Sequence, residues 1–118
     1  MDFSLSEEQK QVQDLINQFI AKDYPFDVRE KLVKSEDGFS KEYWKTFGEF
    51  GLLAMPFPED DGGFNGGPVD LMVILEAFGT GLVVEPYIPN VVLSGNLISK
   101  LGNKEQKDEI LPRLFSGE

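Results

Sequence analysis

The segment that most restricts the fold is the stretch from residue 52 to residue 67, which reads LLAMPFPEDDGGFNGG. Its prolines, Pro56 and Pro58, forbid a helix there because each lacks a backbone N–H and has a fixed φ. The four glycines within residues 62–67 predict a loop whose backbone needs positive φ or a close approach to other atoms. We therefore expect an apolar extended run that leads into a Gly-rich turn.

On both sides of this linker, apolar residues recur at the three-and-four spacing of amphipathic helices. Helices are predicted over residues 6–22, 26–33, 41–50, 69–78 and 90–101, and from residue 103 towards residue 112. Residues that suit helix N-termini stand before three of them: Ser6 with Gln9, Ser40, and Asn103 with Gln106. The sequence therefore predicts an all-α orthogonal bundle of five or six helices with one Pro/Gly-rich extended linker.

The composition excludes several kinds of function. The 118 residues suffice for one domain, and the chain has neither cysteine nor histidine. Disulfides, thiolate nucleophiles, Ser-His-Asp triads and zinc fingers therefore cannot be built from it. The formal net charge of −10 argues against nucleic acid and anionic membranes as partners.

The chain shows no pattern of a secreted or membrane-spanning protein. Asp2, Glu7 and Glu8 occupy positions where a secretory leader would need basic residues. The longest apolar run, residues 71–75, is too short to cross a bilayer. We therefore expect a cytoplasmic protein without a membrane span.

The Gly-rich turn fits no known ligand-binding loop. Residues 62–67, GGFNGG, match neither the dinucleotide-binding fingerprint nor the P-loop, and the acidic residues 59–61 would repel a phosphate. An EF-hand that begins at Asp61 would need carboxylates where Gly63 and Met72 stand. We therefore interpret the loop as a structural turn and residues 59–61 as solvated surface charge.

Two carboxylates are candidates for acid–base chemistry, which needs a side chain whose pKa is raised by burial. Glu76 lies within the most apolar predicted helix, and Glu85 precedes a proline at a helix entry. For both residues, a structural hydrogen bond or ion pair is the favoured interpretation. A chain this short also has too many aromatic and leucine residues to bury them all, which predicts an apolar face for a partner domain or subunit.

Three sequence stretches together resemble the acyl-CoA dehydrogenase family. These are FSLSEEQ at residues 3–9, FGLLAMPFPE at residues 50–59, and GNKEQK at residues 102–107 followed by LP at 111–112 and SGE at 116–118. The segment GLVVEPY at residues 81–87 is most similar to the small subunits of bacterial heteromeric members, such as pimeloyl-CoA dehydrogenase-like enzymes. The resemblance covers residues 1–118 and only the family's amino-terminal helical domain, so we expect a middle β domain and a carboxy-terminal helical domain to follow.

The resemblance implies α,β-dehydrogenation of an acyl-CoA thioester by an oligomeric enzyme, homomeric or heteromeric, that binds FAD mostly outside this chain. The catalytic base of the family also lies outside it, and this domain is expected to be inactive alone. Counting back from Gly102, the resemblance implies an acyl-pocket wall that consists of Val84, Glu85, Ile88, Pro89, Val92 and Leu93. Glu85 would repel a distal carboxylate, which argues against a dicarboxylic acyl group, and plain acyl chains or sterol-like groups also fit.

A second interpretation is a free-standing acidic helical module that binds proteins or carries acyl groups without catalysis. An acyl carrier needs an attachment serine in an Asp-Ser-Leu setting at a helix start. Residues 69–72 read VDLM instead and contain no serine.

Overall fold

The computed structural model describes residues 3–118, so Asp2 lies outside the described residues. Six α-helices are present in this range: α1 (Glu7–Asp23), α2 (Phe26–Val33), α3 (Lys41–Glu49), α4 (Pro68–Thr80), α5 (Asn96–Leu101) and α6 (Lys104–Ser116). A π-helical segment, Ile88–Gly95, leads directly into α5, and Glu59–Asp61 forms a short 3₁₀ turn. No strand occurs within residues 3–118, so the all-α prediction is confirmed.

Local hydrogen bonds explain where the helices begin. The side chains of Ser6, Ser40 and Asn103 each accept a backbone N–H three residues later, as their spacing predicts. Such a bond satisfies an N–H group that has no partner inside the helix. The sequence alone therefore located these three N-termini.

The sixth helix is longer than predicted, because α6 continues through Pro112 to Ser116. Leu111 is fully buried, and Leu114 and Phe115 pack against the core. These contacts hold the helix together past the proline, and Gly117, at φ 84°, ends it in the left-handed conformation.

The linker is folded back on itself, so the prediction of an extended run is wrong. Residues 51–56 form successive turns, which begin at Gly51 with φ 78°. Leu52, Leu53 and Phe57 are all at most 2% exposed. An extended segment would point Leu52 and Leu53 to opposite faces, whereas turns bring both into the core.

Aromatic rings form a connected part of the core between α1, α3 and α4. Phe19 of α1 meets Phe47 of α3 edge-on, with ring centroids 5.4 Å apart. Phe47 in turn contacts Phe78 of α4 at 5.0 Å, and Phe78 meets Tyr87 at 5.3 Å. This chain of rings connects α1 to the segment that enters the π helix.

The molecule is a slab of 44 × 42 × 19 Å, so most helices have one side without a neighbour. Twelve large apolar side chains are exposed in residues 3–118: Phe3, Phe26, Val33, Phe64, Val69, Met72, Leu82, Ile88, Leu93, Leu97, Leu101 and Ile110. The expected uncovered apolar surface is thus present. None of the helices in the described range has the length and apolar character needed to cross a bilayer.

Candidate functional site

The predicted wall residues lie around the start of the π-helical segment that leads into α5. Together these two elements form the predicted fifth helix, which begins at Ile88 and not at Asn90 as predicted. The wall residues fall into two neighbouring grooves. Val84, Glu85, Ile88 and Pro89 line a groove of about 570 Å³, here called the loop groove. Val92 and Leu93 line a separate groove of about 530 Å³, here called the helix groove. The structure therefore brings together four of the predicted residues and sets the other two apart.

The loop groove lies between the end of α4 and the loop that follows it. Leu75 and Phe78 of α4 supply apolar surface, and Leu82 contributes an exposed side chain. Leu82 has φ 51°, a left-handed conformation that a leucine rarely adopts. Its carbonyl accepts the Nε–H of Arg29 at 2.8 Å, which holds the strained residue in place.

Glu85 is the one charged side chain in the described residues that is buried, with 4% exposure. Its Oε2 accepts the backbone N–H of Ser40 at 2.9 Å. Ser40 is the N-cap of α3, so the positive end of the helix dipole also favours the carboxylate. This contact bridges 45 residues of sequence and confirms that Glu85 serves a backbone donor.

The Tyr24 phenol is a further hydrogen-bond partner of the Glu85 side chain. The nearby Tyr24 hydroxyl accepts the Val84 N–H at 3.1 Å. Burial raises the pKa of the Tyr24 phenol above its ordinary value, and the adjacent Glu85 carboxylate raises it further. The phenol therefore keeps its proton and is a neutral hydrogen-bond donor to the carboxylate.

Glu76 does not meet the requirement for a buried acid or base. Its side chain is exposed on α4 and lines neither groove. Residues 3–118 also contain no group of three carboxylates close enough together to hold a metal ion.

The helix groove follows the outward side of the π segment and α5. Leu93, Leu97 and Leu101 recur every fourth residue there and are 62%, 59% and 77% exposed. The opposite side is pressed against the core at Gly95. A Cβ atom at this position would lie 2.7 Å from both Leu114 and Phe57 side chains. The outward leucines thus belong to a helix that is firmly seated on its other side.

The Gly-rich loop uses its amides internally, as the structural interpretation predicts. The N–H groups of Gly62, Gly63 and Gly66 donate to carbonyls of Glu59, Pro58 and Met55. A Cβ at Gly63 would lie 2.3 Å from the Phe57 carbonyl oxygen, so glycine is needed for close packing. These amides are therefore not available to a phosphate.

Asp61 differs from the prediction of solvated surface charge. Its side chain is only 11% exposed and lies 3.6 Å from Lys107 Nζ. Asp61 Oδ2 also accepts the Ser99 hydroxyl hydrogen. The prediction was wrong at this residue because α5 and α6 fold back over the 3₁₀ turn, whereas Glu59 and Asp60 are exposed as expected.

Sequence reasoning missed two features of these grooves. Arg29 of α2 lines the loop groove, although it precedes the groove's other residues by more than 40 positions. No pattern in the sequence predicts that Arg29 lines this groove. The exposed stripe of Leu93, Leu97 and Leu101 could have been found, because its spacing is that of one helix face.

Comparisons with known proteins match nearly the whole chain. The family profile described as "Acyl-CoA dehydrogenase, N-terminal domain" matches residues 6–118. The chain is 32% identical to Acryloyl-CoA reductase (NADH) of Anaerotignum propionicum, with 99% of this chain and 29% of that protein covered. It is 31% identical to mitochondrial isovaleryl-CoA dehydrogenase of Bos taurus, with 97% of this chain and 27% of that protein covered. The chain thus spans about three tenths of the length of these curated relatives.

Solved structures show the same fold. The ChsE4–ChsE5 complex from Mycobacterium tuberculosis superposes with a TM-score of 0.87 at 26% identity, and the match covers 99% of this chain and 32% of that one. A variant of the Tcur3481–Tcur3483 steroid ACAD superposes with a TM-score of 0.85 at 29% identity, covering 97% and 31%.

Proposed function

The chain belongs to the acyl-CoA dehydrogenase family, and we propose that it is the amino-terminal domain of an enzyme that removes hydrogen from Cα and Cβ of an acyl-CoA thioester. The observation that carries the proposal is the family match over residues 6–118. Relatives named for acyl-CoA substrates and a structural neighbour described as a steroid ACAD support the same class of substrate. The free-standing carrier module is not favoured, since the whole helical domain matches this family.

We assign this chain the role of one wall of the acyl pocket. The proposed wall consists of Val84, Glu85, Ile88, Pro89, Val92 and Leu93. In support, Ile88 and Leu93 are 50% and 62% exposed although both are large and apolar. Such side chains favour contact with an acyl chain or with another domain over contact with water.

FAD would be held by the part of the protein outside this chain, where it supplies the acceptor for the hydride. The 62–67 loop does not fit its pyrophosphate, because the amides of Gly62, Gly63 and Gly66 are bonded internally and three acidic residues precede them. A phosphate needs free N–H groups or cations. No step of the reaction is therefore assigned to residues of this chain.

The remaining partners are the middle and carboxy-terminal domains and further subunits. A homo- or hetero-oligomer is supported by the two-component structures that superpose on this chain. The exposed apolar residues on several helices supply surface for such contacts.

The proposal is tested with the full-length protein that contains this chain, expressed together with any companion subunit. Saturated acyl-CoA thioesters are added anaerobically and the flavin absorbance is followed. We expect bleaching of the oxidised flavin and formation of the 2-enoyl-CoA product. A protein that lacks flavin, or that leaves every acyl-CoA unchanged, would contradict the proposal.

A further inference from the structure

One side of the loop groove is formed by residues 81–86, here called the wall loop, which has no helical structure. The loop carries two residues of the proposed wall, Val84 and Glu85. Its Leu82 has φ 51°, and a strained residue of this kind persists only where surrounding contacts hold it. One such contact is the bond from Arg29 Nε–H to the Leu82 carbonyl at 2.8 Å. The position of the wall loop therefore depends on contacts from other parts of the fold.

The second half of the wall loop is held by two further helices. At the end of α1, the Tyr24 hydroxyl accepts the Val84 N–H at 3.1 Å and donates to the Glu85 carboxylate. At the start of α3, the Ser40 N–H donates to the same carboxylate at 2.9 Å. Tyr24 thus connects two consecutive residues of the loop to a helix end that lies 60 positions earlier in the sequence.

Tyr24 acts from behind the wall loop and not from inside the groove. It is 2% exposed and does not line the loop groove, so a molecule in the groove would meet the loop and not Tyr24. Its ring packs against Phe19 and Tyr43, with ring centroids 5.9 and 5.7 Å apart. The hydroxyl is thus carried by a packed ring, and its hydrogen bonds lie away from water, which strengthens them. Leu82 and Ile88, which line the groove, are in contrast 56% and 50% exposed.

We propose that Tyr24 is a positioning residue that sets the acyl selectivity of the enzyme by holding the wall loop in place. A fixed wall rejects an acyl group that is too bulky, because the loop cannot retreat from the clash. It also favours an acyl group that fits, because the loop loses no freedom when that group binds. This inference rests on the proposed function and adds a residue that lies outside the proposed wall. Tyr24 takes no part in the chemical step.

The test uses the full-length holoenzyme and a series of saturated acyl-CoA thioesters of increasing length. Selectivity is the ratio of kcat/KM for the best substrate of the series to kcat/KM for the same acyl group with one added methyl branch at its far end. The variant Tyr24→Phe keeps the ring and removes only the hydroxyl. We expect it to lower this ratio by about three- to tenfold, the range of one hydrogen bond. KM of the best substrate should rise while kcat changes by less than about twofold, because only the wall is affected.

Hydrogen exchange, followed by mass spectrometry on the same full-length protein, measures whether the wall loop is held. Tyr24→Phe removes the acceptor of the Val84 N–H, so exchange in the wall loop should become faster by about tenfold. Tyr43→Phe is the matched control, because its lost hydroxyl donates to the Asp23 carbonyl at 2.8 Å and makes no bond to the wall loop. In the control, the selectivity ratio and the exchange of the loop should both stay within about twofold of wild type.

Glu85→Gln reaches the same contacts from the side of the loop. An amide has one acceptor oxygen and no charge, so the bonds from Ser40 and Tyr24 weaken, and both measurements should change in the same direction as in Tyr24→Phe. This variant decides the question if Tyr24→Phe does not fold. Since both substrates are measured on the same sample, the ratio does not depend on how much of a variant is folded.

An unchanged ratio in an active Tyr24→Phe enzyme would overturn the inference, whether or not exchange in the loop is faster. An equal fall of the ratio in Tyr43→Phe would overturn it as well, because the effect would then come from general destabilisation. If the wild type oxidised no acyl-CoA, the proposed function and the selectivity would both be contradicted. An active enzyme with an unchanged ratio contradicts the selectivity alone.

Discussion

Leucine is used in opposite ways in two regions of the molecule. In the linker, Leu52 and Leu53 are completely buried. On the outward side of the fifth helix, Leu93, Leu97 and Leu101 are 59–77% exposed. Burial of the linker leucines therefore stabilises the fold of this domain. The exposed leucines of the helix contribute little to that stability. Leu93, Leu97 and Leu101 therefore form apolar surface that this domain's own core leaves open.

The shape of the molecule explains why such a face exists. At 19 Å the slab is thin, and its short dimension leaves room for about two layers of helices. The core aromatic rings fill the space between those layers. Side chains that point away from the slab then have no neighbour, whatever their polarity.

The largest expected effect comes from one substitution made in each region. Leu52→Ala should lower the free energy of unfolding of the chain by about 2–5 kcal/mol, because it leaves a cavity in a packed core. Leu97→Ala should change it by less than about 0.5 kcal/mol, because that side chain is already in water. Urea denaturation followed by circular dichroism measures both. Equal losses for the two variants would remove the distinction between the regions.

Two helical glycines, one packed against the core and one open to solvent, give a second comparison. Gly95→Ala should destabilise by about 1–3 kcal/mol, because its Cβ would lie 2.7 Å from Leu114 and Phe57 atoms. Gly79→Ala is the control: nothing lies within 4 Å of its Cβ, and alanine should stabilise α4 by about 0.5–1 kcal/mol. Thermal melts of the two variants should therefore shift in opposite directions. A stabilising Gly95→Ala would show that the π segment is not pressed against the core.

The smallest expected effect on stability comes from removing the hydroxyl of Tyr87, the residue just before the π-helical segment. The Tyr87 hydroxyl is buried and donates to the Leu52 carbonyl at 2.9 Å, so it connects the two regions. Tyr87→Phe should cost about 1 kcal/mol at neutral pH, the typical contribution of such a bond.

The same phenol predicts a dependence on pH. Burial raises the pKa of Tyr87 above 10.0, its ordinary value. Above that pH the unfolded chain loses the proton while the folded chain keeps it, so stability falls as the pH rises. The difference in stability between wild type and Tyr87→Phe should thus shrink above pH 10. A difference that stays constant up to pH 11 would contradict a buried, protonated phenol; the measurement is urea unfolding at a series of pH values.

Features set by neighbouring residues could be predicted from the sequence. The caps at Ser6, Ser40 and Asn103 depend on partners three residues away, and the left-handed end of α3 depends on Gly51. Each cap and the N–H that it accepts lie within four consecutive residues, and the turn at Gly51 depends on that residue alone. The family resemblance likewise rested on contiguous motifs.

Features set by distant contacts could not be predicted. The linker folds into turns because Leu52 and Leu53 are both buried in the core. Pro56 and Pro58 predict only that this segment is not a helix. Glu85 is buried because Ser40, 45 residues earlier, lies against it. The close packing of Gly95 against Phe57 and Leu114 likewise joins residues that are far apart in the sequence.

We expect the face that carries Leu93 to be covered in the full-length protein. The sequence contains no cysteine, so Leu93→Cys places a single thiol on that face of the chain. The rate of its alkylation is measured by mass spectrometry at that position, in this chain alone and in the full-length protein. Glu36→Cys, in an exposed loop, serves as the control.

We expect Cys alkylation at position 93 to match the control in the isolated chain, because Leu93 is 62% exposed there. In the full-length protein it should be slower than the control by more than about tenfold, and slower still with acyl-CoA bound. Equal rates at both positions in the full-length protein would show that the face with Leu93 is not covered.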